Sequence, residues 1–402
     1  MARRKTAITV DSLEETIFAD FAILPDPRAI GWKYRHPWIN ILAIALCAMI
    51  CAAETFADME RFGEAKFDWL EQRLGLDLSA GIPSHDTFGR AFAALDSAAF
   101  TKLFIEWTQE IHRLSGGKIV AIDGKTLRHS FDTASGNSTI HMVSAWSQAA
   151  GIALGQVKVD DKSNEITAVP VLLSLLDLKG CVVTADAMST QKAIVDQIAS
   201  QGGDYVLALK ANQPDLYAET SAFFDRALAN HWMNANADTI SHSFAKTVDG
   251  PEHGRIKTRR CWATDWLAEL HPSTILPWSN LKSIALVEVE RLQKANNPIQ
   301  PAPSATERRF YISSLPADAA EILAAVRGHW SIENSLHWVL DVAFREDECR
   351  VRVGNAAQNL AILRQIALNL IKQNTTRKGG VKSKRLRAGW DNNFLLDLLA
   401  QL

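Results

Sequence analysis

The chain is poor in features that would assign it at once. Its 402 residues hold five cysteines: Cys47, Cys51, Cys181, Cys261 and Cys349. None forms a C-x-x-C pair, and an odd number cannot all pair within one chain, so a zinc ribbon and a disulfide framework are unsupported and a reducing, cytoplasmic compartment is expected. Charge of either sign is not in excess. There are 43 Lys and Arg against 45 Asp and Glu, for a net charge of −2. A chain this balanced that handles a polyanion must gather its positive charge locally. A membrane span is missing too. Trp38–Ala53 reads WINILAIALCAMICAA, short of the roughly 20 apolar residues needed to cross a bilayer. It also lies behind a charged, proline-containing stretch, too far in for a signal peptide. A helix buried on all sides is the reading, with no membrane partner.

What is present is enough apolar residue, 47% of the chain, to bury a sizeable core in two or three structural units. Residues 1–114 read as an all-helical N-terminal domain. Arg3, Arg4 and Lys5 open it, Ser12 with Glu15 makes a capping box, and Asp26-Pro27 ends the first helix. A further helix runs from Phe56 to Leu74, and Ser84 or Asp86 caps the next segment after a turn at Gly81. The character changes at Gly116-Gly117. Residues 115–372 read as a catalytic α/β domain with strands at Lys118–Asp123, Thr139–Gln148, Ile152–Val159, Cys181–Ala185 and Tyr205–Leu209, and with helices at Ile166–Leu178 and Gln191–Ala199. Three meander strands followed by α/β crossovers imply a mixed sheet covered by helices. At about 215–309 that rhythm stops. A helix at Tyr217–Ala229, a polar stretch, and strands at Arg255–Ala263, Leu281–Leu292 and Arg308–Ser313 make a β-rich insertion, with an Asn/Pro-rich loop at Lys294–Ala305. Helical pattern returns from Ala317 through Phe344 and again at Asn355–Lys372, and residues 373–402 form a basic tail.

Asp123 (in AIDGK) and Asp186 (in TADAM) each close an apolar strand. A carboxylate there needs a basic partner or a cation, and strand ends are where α/β sheets collect their chemistry. Either aspartate alone could be a turn cap; two at matching strand ends point to a site for hard divalent cations. Two such ions suit attack on a phosphodiester. On the later helix His329, Glu333, His337 and Asp341 follow at four-residue steps and share one broad face beside Trp330 and Trp338. An amphipathic helix with satisfied polar groups, a metal carboxylate at Glu333, or a zinc or manganese site using both histidines all fit that face. The H-E-x-x-H spacing is absent.

Positive charge gathers in four places. The tail carries Lys372, Arg377, Lys378, Lys382, Lys384, Arg385 and Arg387 without an acid among them, a phosphate-binding run whose contacts weaken with salt, or else a solvated tail. Arg255, Lys257 and Arg259 alternate along one strand face. Lys125 and Arg128 lie just past Asp123, and Lys210 ends the YVLAL strand.

The stretches DGKTLRHS (Asp123–Ser130), KSNEI (Lys162–Ile166), VTADAM (Val183–Met188), YVLALKANQ (Tyr205–Gln213), HGR (His253–Arg255) and HWSIENSLHWVLDVAFRED (His329–Asp347), with IPSHDTFGRAF (Ile82–Phe92), resemble bacterial insertion-sequence DDE transposases. The nearest subgroup is the ISAs type, which includes H-repeat-associated proteins of Rhs elements. The resemblance covers nearly the whole chain. It implies an RNase H-like catalytic fold, Asp123, Asp186 and Glu333 as catalytic metal ligands, and two Mg2+ or Mn2+ ions. It also implies double-stranded DNA partners (terminal inverted repeats and target), a homodimer in the synaptic complex, and a nucleoid-associated place in a bacterial cytoplasm. Related transposases carry Tyr, Arg and Lys around the glutamate where this chain has Val326, His329 and Leu340. His329 and His337 are the natural substitutes for DNA contact. A nuclease without strand transfer and a degenerate DNA-binding remnant are the competing functions.

Overall fold

The computed structural model describes residues 17–28, 35–116, 118–128, 139–159, 165–230, 242–252, 255–293 and 305–400. The Ser12–Glu15 capping box, the basic opening, His253 and nearly all of the Asn/Pro-rich loop lie outside them. The chain opens with six helices, α1 (Ile17–Ile23), α2 (Trp38–Ile50), α3 (Phe56–Ala65), α4 (Phe67–Leu74), α5 (His85–Ala94) and α6 (Ser97–Leu114). Then come β1 (Ile119–Leu127), β2 (Ile140–Ser147), β3 (Ile152–Lys158), α7 (Glu165–Leu175), β4 (Val182–Ala185), α8 (Lys192–Ser200), β5 (Asp204–Leu209) and α9 (Pro214–Ala229). Next in the chain are β6 (His242–Glu252), β7 (Arg255–Thr264), α10 (Pro272–Ile275), β8 (Ser283–Gln293) and β9 (Ala305–Ser313). The last helices are α11 (Ala319–Ile332), α12 (Trp338–Phe344), α13 (Ala356–Gln373), α14 (Val381–Trp390) and α15 (Asn392–Leu399).

Two compact units share the chain, one of Met1–Gly116, Gly124–Asn164 and Glu333–Leu402, the other of Gly117–Asp123 and Glu165–Ile332. The first is mostly helical. The apolar segment α2 is buried along all but one of its residues, as an all-round hydrophobic helix must be. Among the described residues no helix is long and apolar enough to cross a membrane. At the centre of this unit lies α13, packed on α2, α5, α6 and β3. Its amides supply much of the polar contact between this helix and the strand it faces. Asn369 donates to the Ala153 carbonyl at 2.8 Å and accepts from the Ala153 N–H at 2.9 Å, while Gln365 donates to Gln156 at 2.7 Å and Gln373 to Ala150 at 2.9 Å. The four-residue spacing of 365, 369 and 373 puts all three on one face. Asn359 ties the same helix to the carbonyls of Phe92 and Leu95.

A buried ionic core closes this unit. The Lys125 ammonium donates to Asp341, and to Glu346 at 2.7 Å; Glu346 lies 3.7 Å from Arg364. Burial alone would push Glu346 up, but Lys125 and Arg364 outweigh it and hold the carboxyl below its ordinary value. The C-terminal segment is anchored similarly. Arg385 is 2% exposed, donates to the carbonyls of Met49, Ala53 and Ala343, and lies 3.9 Å from the Phe344 ring centre. These carbonyls close the ends of α2 and α12, where helices leave acceptors unfilled.

The second unit is a sheet in which β1, β4 and β5 run parallel and β9, β8, β7 and β6 continue antiparallel. The apolar face of α11 seals it, with Ile322, Leu323 and Val326 against Val182, Val206, Cys261 and Tyr311. The β-rich segment expected in the sequence contains one strand more than its pattern announced. β6 reads HSFAKTVDGPE, with Phe244 and Val248 exposed and a register shift between Asp249 and Glu252. Such an edge strand buries too little to show alternation.

Lys125 and Glu346 predict how the helical unit responds to change. Lys125→Met leaves two carboxylates without their cation and should lower stability by about 3 kcal/mol, read as a shift in urea unfolding at neutral pH. Because the Glu346 pKa is depressed and that of Lys125 raised, their stabilisation is complete between the ordinary values of 4.5 and 10.5. It is lost as pH falls through the folded pKa of Glu346, and as pH rises through that of Lys125. The variant should therefore show a flatter acid limb. An unchanged urea midpoint would remove the ion cluster from the forces that hold this unit together.

Candidate active site

The strongest feature of the site is a register. β1 and β4 pair in parallel, residue by residue, from Ile119 with Val182 to Ile122 with Ala185. Asp123 and Asp186 follow that last pair, Asp123 within β1, which runs on past its expected end to Leu127, and Asp186 just beyond the end of β4. Parallel in-register pairing carries both residues to one level of the sheet. Each strand is uncharged and mostly buried up to that point, and the first charged residue marks where burial falls off. Asp186 also makes a local turn, accepting from the Ser189 N–H at 3.3 Å. The turn-cap role open to it in the sequence is therefore filled.

The helix expected from Ala317 to Phe344 is not one uniform α-helix. α11 ends at Ile332, Glu333–His337 forms a π-turn, and α12 begins at Trp338. A π-turn carries an extra residue and shifts the phase of every residue beyond it on the helix. The single face of His329, Glu333, His337 and Asp341 is thereby divided. His329 lies 3.3 Å from the Thr184 hydroxyl on β4. Glu333 and His337 contact each other at 3.2 Å. Asp341 is paired with Lys125. Glu333 is exposed while the His337 ring is buried. That ring, with a smaller pull from Lys125, outweighs partial burial and holds the Glu333 carboxyl below the ordinary range. It is ionised at neutral pH, as a cation ligand must be. Burial of His337 removes it from the DNA-contacting set the sequence suggested. The tryptophans part company too: Trp338 is exposed, whereas Trp330 lies 4.5 Å from the Arg309 guanidinium and 5.5 Å from that of Arg259.

Several of the expected phosphate contacts belong instead to the fold. Lys125 is claimed by Asp341 and Glu346. Arg259 is buried, paired with Asp249 and stacked on Trp330, so the basic stripe of β7 is partly neutralised from β6. Arg385 is engaged by three carbonyls, and the Lys384 ammonium donates to the Asn374 and Ile371 carbonyls at the end of α13. The basic segment is helical rather than a loose tail, and its periodicity turns Arg385 inward. Arg128, Lys210 and Lys382 keep an exposed face, and Lys257 is half-buried. Arg128 lies 3.3 Å from Asp347. The Arg255 side chain is outside the described residues. Sequence reasoning missed Glu346 and Arg364, whose only signal was an acid-rich turn after Phe344 and an arginine inside an apolar helix.

Comparison with known proteins accounts for this arrangement. The profile of the Transposase DDE domain matches residues 114–370, and a second, described as DDE_Tnp_1-associated, matches residues 18–108. "Putative transposase YncI" of Escherichia coli O157:H7 is 40% identical over 379 residues, covering 94% of this chain and 93% of its own. "H repeat-associated putative transposase YhhI" of Escherichia coli K12 is 38% identical over 379 residues, covering 94% of this chain and 96% of its own. A protein encoded in the dhlA 3′ region of Xanthobacter autotrophicus is 40% identical over 304 residues, 74% of this chain and 94% of its own. The mixed α/β sheet is the RNase H-like fold expected of such proteins. On a domain match over most of its length and relatives this similar end to end, the chain belongs to the DDE transposase family.

Proposed function

We propose that the chain is an active DNA transposase in which Asp123, Asp186 and Glu333 act together at a divalent-metal site. Water attacks a phosphodiester at the end of the mobile element, the bond from phosphorus to the 3′ oxygen breaks, and a 3′ hydroxyl and a 5′ phosphate remain. That hydroxyl then attacks a phosphodiester of the target, displacing its 3′ oxygen, so the strands are joined without a nucleotide cofactor. The observation that carries this reading is the in-register pairing that ends at Ile122 and Ala185, immediately before the two aspartates.

The donor set fits Mg2+ or Mn2+. All three groups are carboxylates, the aspartates half-buried and Glu333 exposed and held ionised, which suits hard cations that keep several water ligands. Two such ions, when bound, lower the pKa of water and offset charge developing on the phosphate. The β1–β4 ladder fixes the level of the two aspartates, and Glu333, in the π-turn, is the third carboxylate proposed as a ligand. Arg128, Lys210 and Lys382 are the exposed cations best suited to duplex phosphates, and joining two element ends calls for two copies of the chain.

Purified full-length protein, given Mg2+ and duplexes bearing the ends of its own element, should nick and join them, and chelation should stop both reactions. Asp123→Asn and Asp186→Asn should each lower strand cleavage by more than about a hundredfold while the melting temperature holds. Cleavage at the parent rate by either variant would sink the assignment. Nicks without joined products would limit the activity to a nuclease, and retarded but uncut DNA would mark a remnant.

The basic residues make a separate forecast. Lys382→Ala should weaken DNA binding across sequences and reduce the slope of log affinity against log salt by about one. Arg385→Ala should instead lower the melting temperature, because it removes a buried donor from three carbonyls. A salt slope unaltered by Lys382→Ala would clear that residue of any phosphate contact.

A further inference from the structure

The π-turn does more than divide a helix face. It brings an exposed carboxylate against a ring that cannot move. Glu333 keeps 67% of its side chain exposed, whereas His337 keeps 4%, and the two meet through His337 Nδ1 and a Glu333 carboxylate oxygen at 3.2 Å. A surface glutamate on its own samples many rotamers. One bonded to a buried neighbour four residues on is confined. Leu336, His337, Val339 and Leu340 are all buried, so the ring is held in the interior of its unit. A π-turn inserted at this one place, between two regular α-helices, is the kind of local irregularity that aims a functional side chain.

We infer that His337 is a positioning residue, donating its Nδ1–H to Glu333 and fixing the direction in which that carboxylate is presented. The inference rests on the reading of Glu333 as a metal ligand. It gives His337 a role distinct both from contact with DNA and from ligation. Groups that orient a metal-binding carboxylate without touching the ion influence affinity nearly as strongly as the ligands, and losing one typically weakens binding by about 10–100-fold. Asp341, four residues further on, is excluded from the same task by its pairing with Lys125.

The test uses the stereochemistry of amide substitutes. Asparagine places its N–H donor near the position of Nδ1 and glutamine near that of Nε2. Mn2+ binding to the full chain, followed by electron paramagnetic resonance, should be retained to within about threefold in His337→Asn and weakened about 10–100-fold in His337→Gln, at similar melting temperatures. Parent-like Mn2+ affinity in His337→Gln would overturn the inference. So would nitrogen hyperfine coupling on Mn2+ in the parent that disappears in His337→Asn, because the ring would then be a ligand itself. If the variants do not fold, nitrogen-15 spectra of labelled histidine in the unaltered protein serve instead. With Mg2+ added, His337 should keep its proton on Nδ1, and loss of that proton would refute the positioning role. A parent protein that binds no Mn2+ at all would refute the carboxylate site itself, an outcome separate from altered affinity in the variants.

Discussion

Asp123 and Asp186 follow the last paired residues of two adjacent parallel strands, and neither can change level without breaking that register. That constraint organises the second unit. β1 and β4 are uncharged and mostly buried up to Ile122 and Ala185, so slipping by one residue would turn the buried side chains outward and carry an aspartate into the apolar layer. The register that stabilises the core is the one that brings Asp123 and Asp186 to one level. The packing of the core and the placement of the two aspartates therefore rest on the same register.

A second theme is that several cations the sequence offered to a polyanion serve the architecture instead. With a net charge of −2, the chain has no surplus of cations. Lys125, Arg259, Lys384 and Arg385 are each engaged by carboxylates or carbonyls inside the structure. Ionic contacts this well buried are strongly context-dependent, but removing one partner is costly because the other is left desolvated. Exposed cations such as Arg128, Lys210 and Lys382 remain available to a polyanion. Each phosphate contact they make would steepen the fall of affinity with salt.

Much of the fold was legible because its strands are short apolar runs bounded by glycine or acid. CVVTA and YVLAL are strands within a residue or two of their expected limits, whereas the strand expected to end at Asp123 runs on to Leu127. Two features escaped. β6 carries exposed Phe244 and Val248 and a register shift, so no alternation survives in its sequence. The π-turn at Glu333–His337 left no mark, because its residues satisfy an α-helical pattern equally well. For the same reason four polar residues were expected on one face where the structure assigns them three different sets of neighbours.

The sequence by itself determined which residues could carry the chemistry: two aspartates at the ends of apolar strands, a glutamate in a helix rich in histidine and tryptophan, and no cysteine framework to compete with them. Local pattern is sufficient there, since a strand end is defined by where apolar residues stop. Only the tertiary structure decided the partners. Whether Lys125 meets a phosphate or Asp341, and whether Arg385 faces water or three carbonyls, are settled by packing between segments far apart in the chain, and burial of the His337 ring settles its contact with Glu333. Residue type and spacing leave the direction of a long side chain open, and burial closes it.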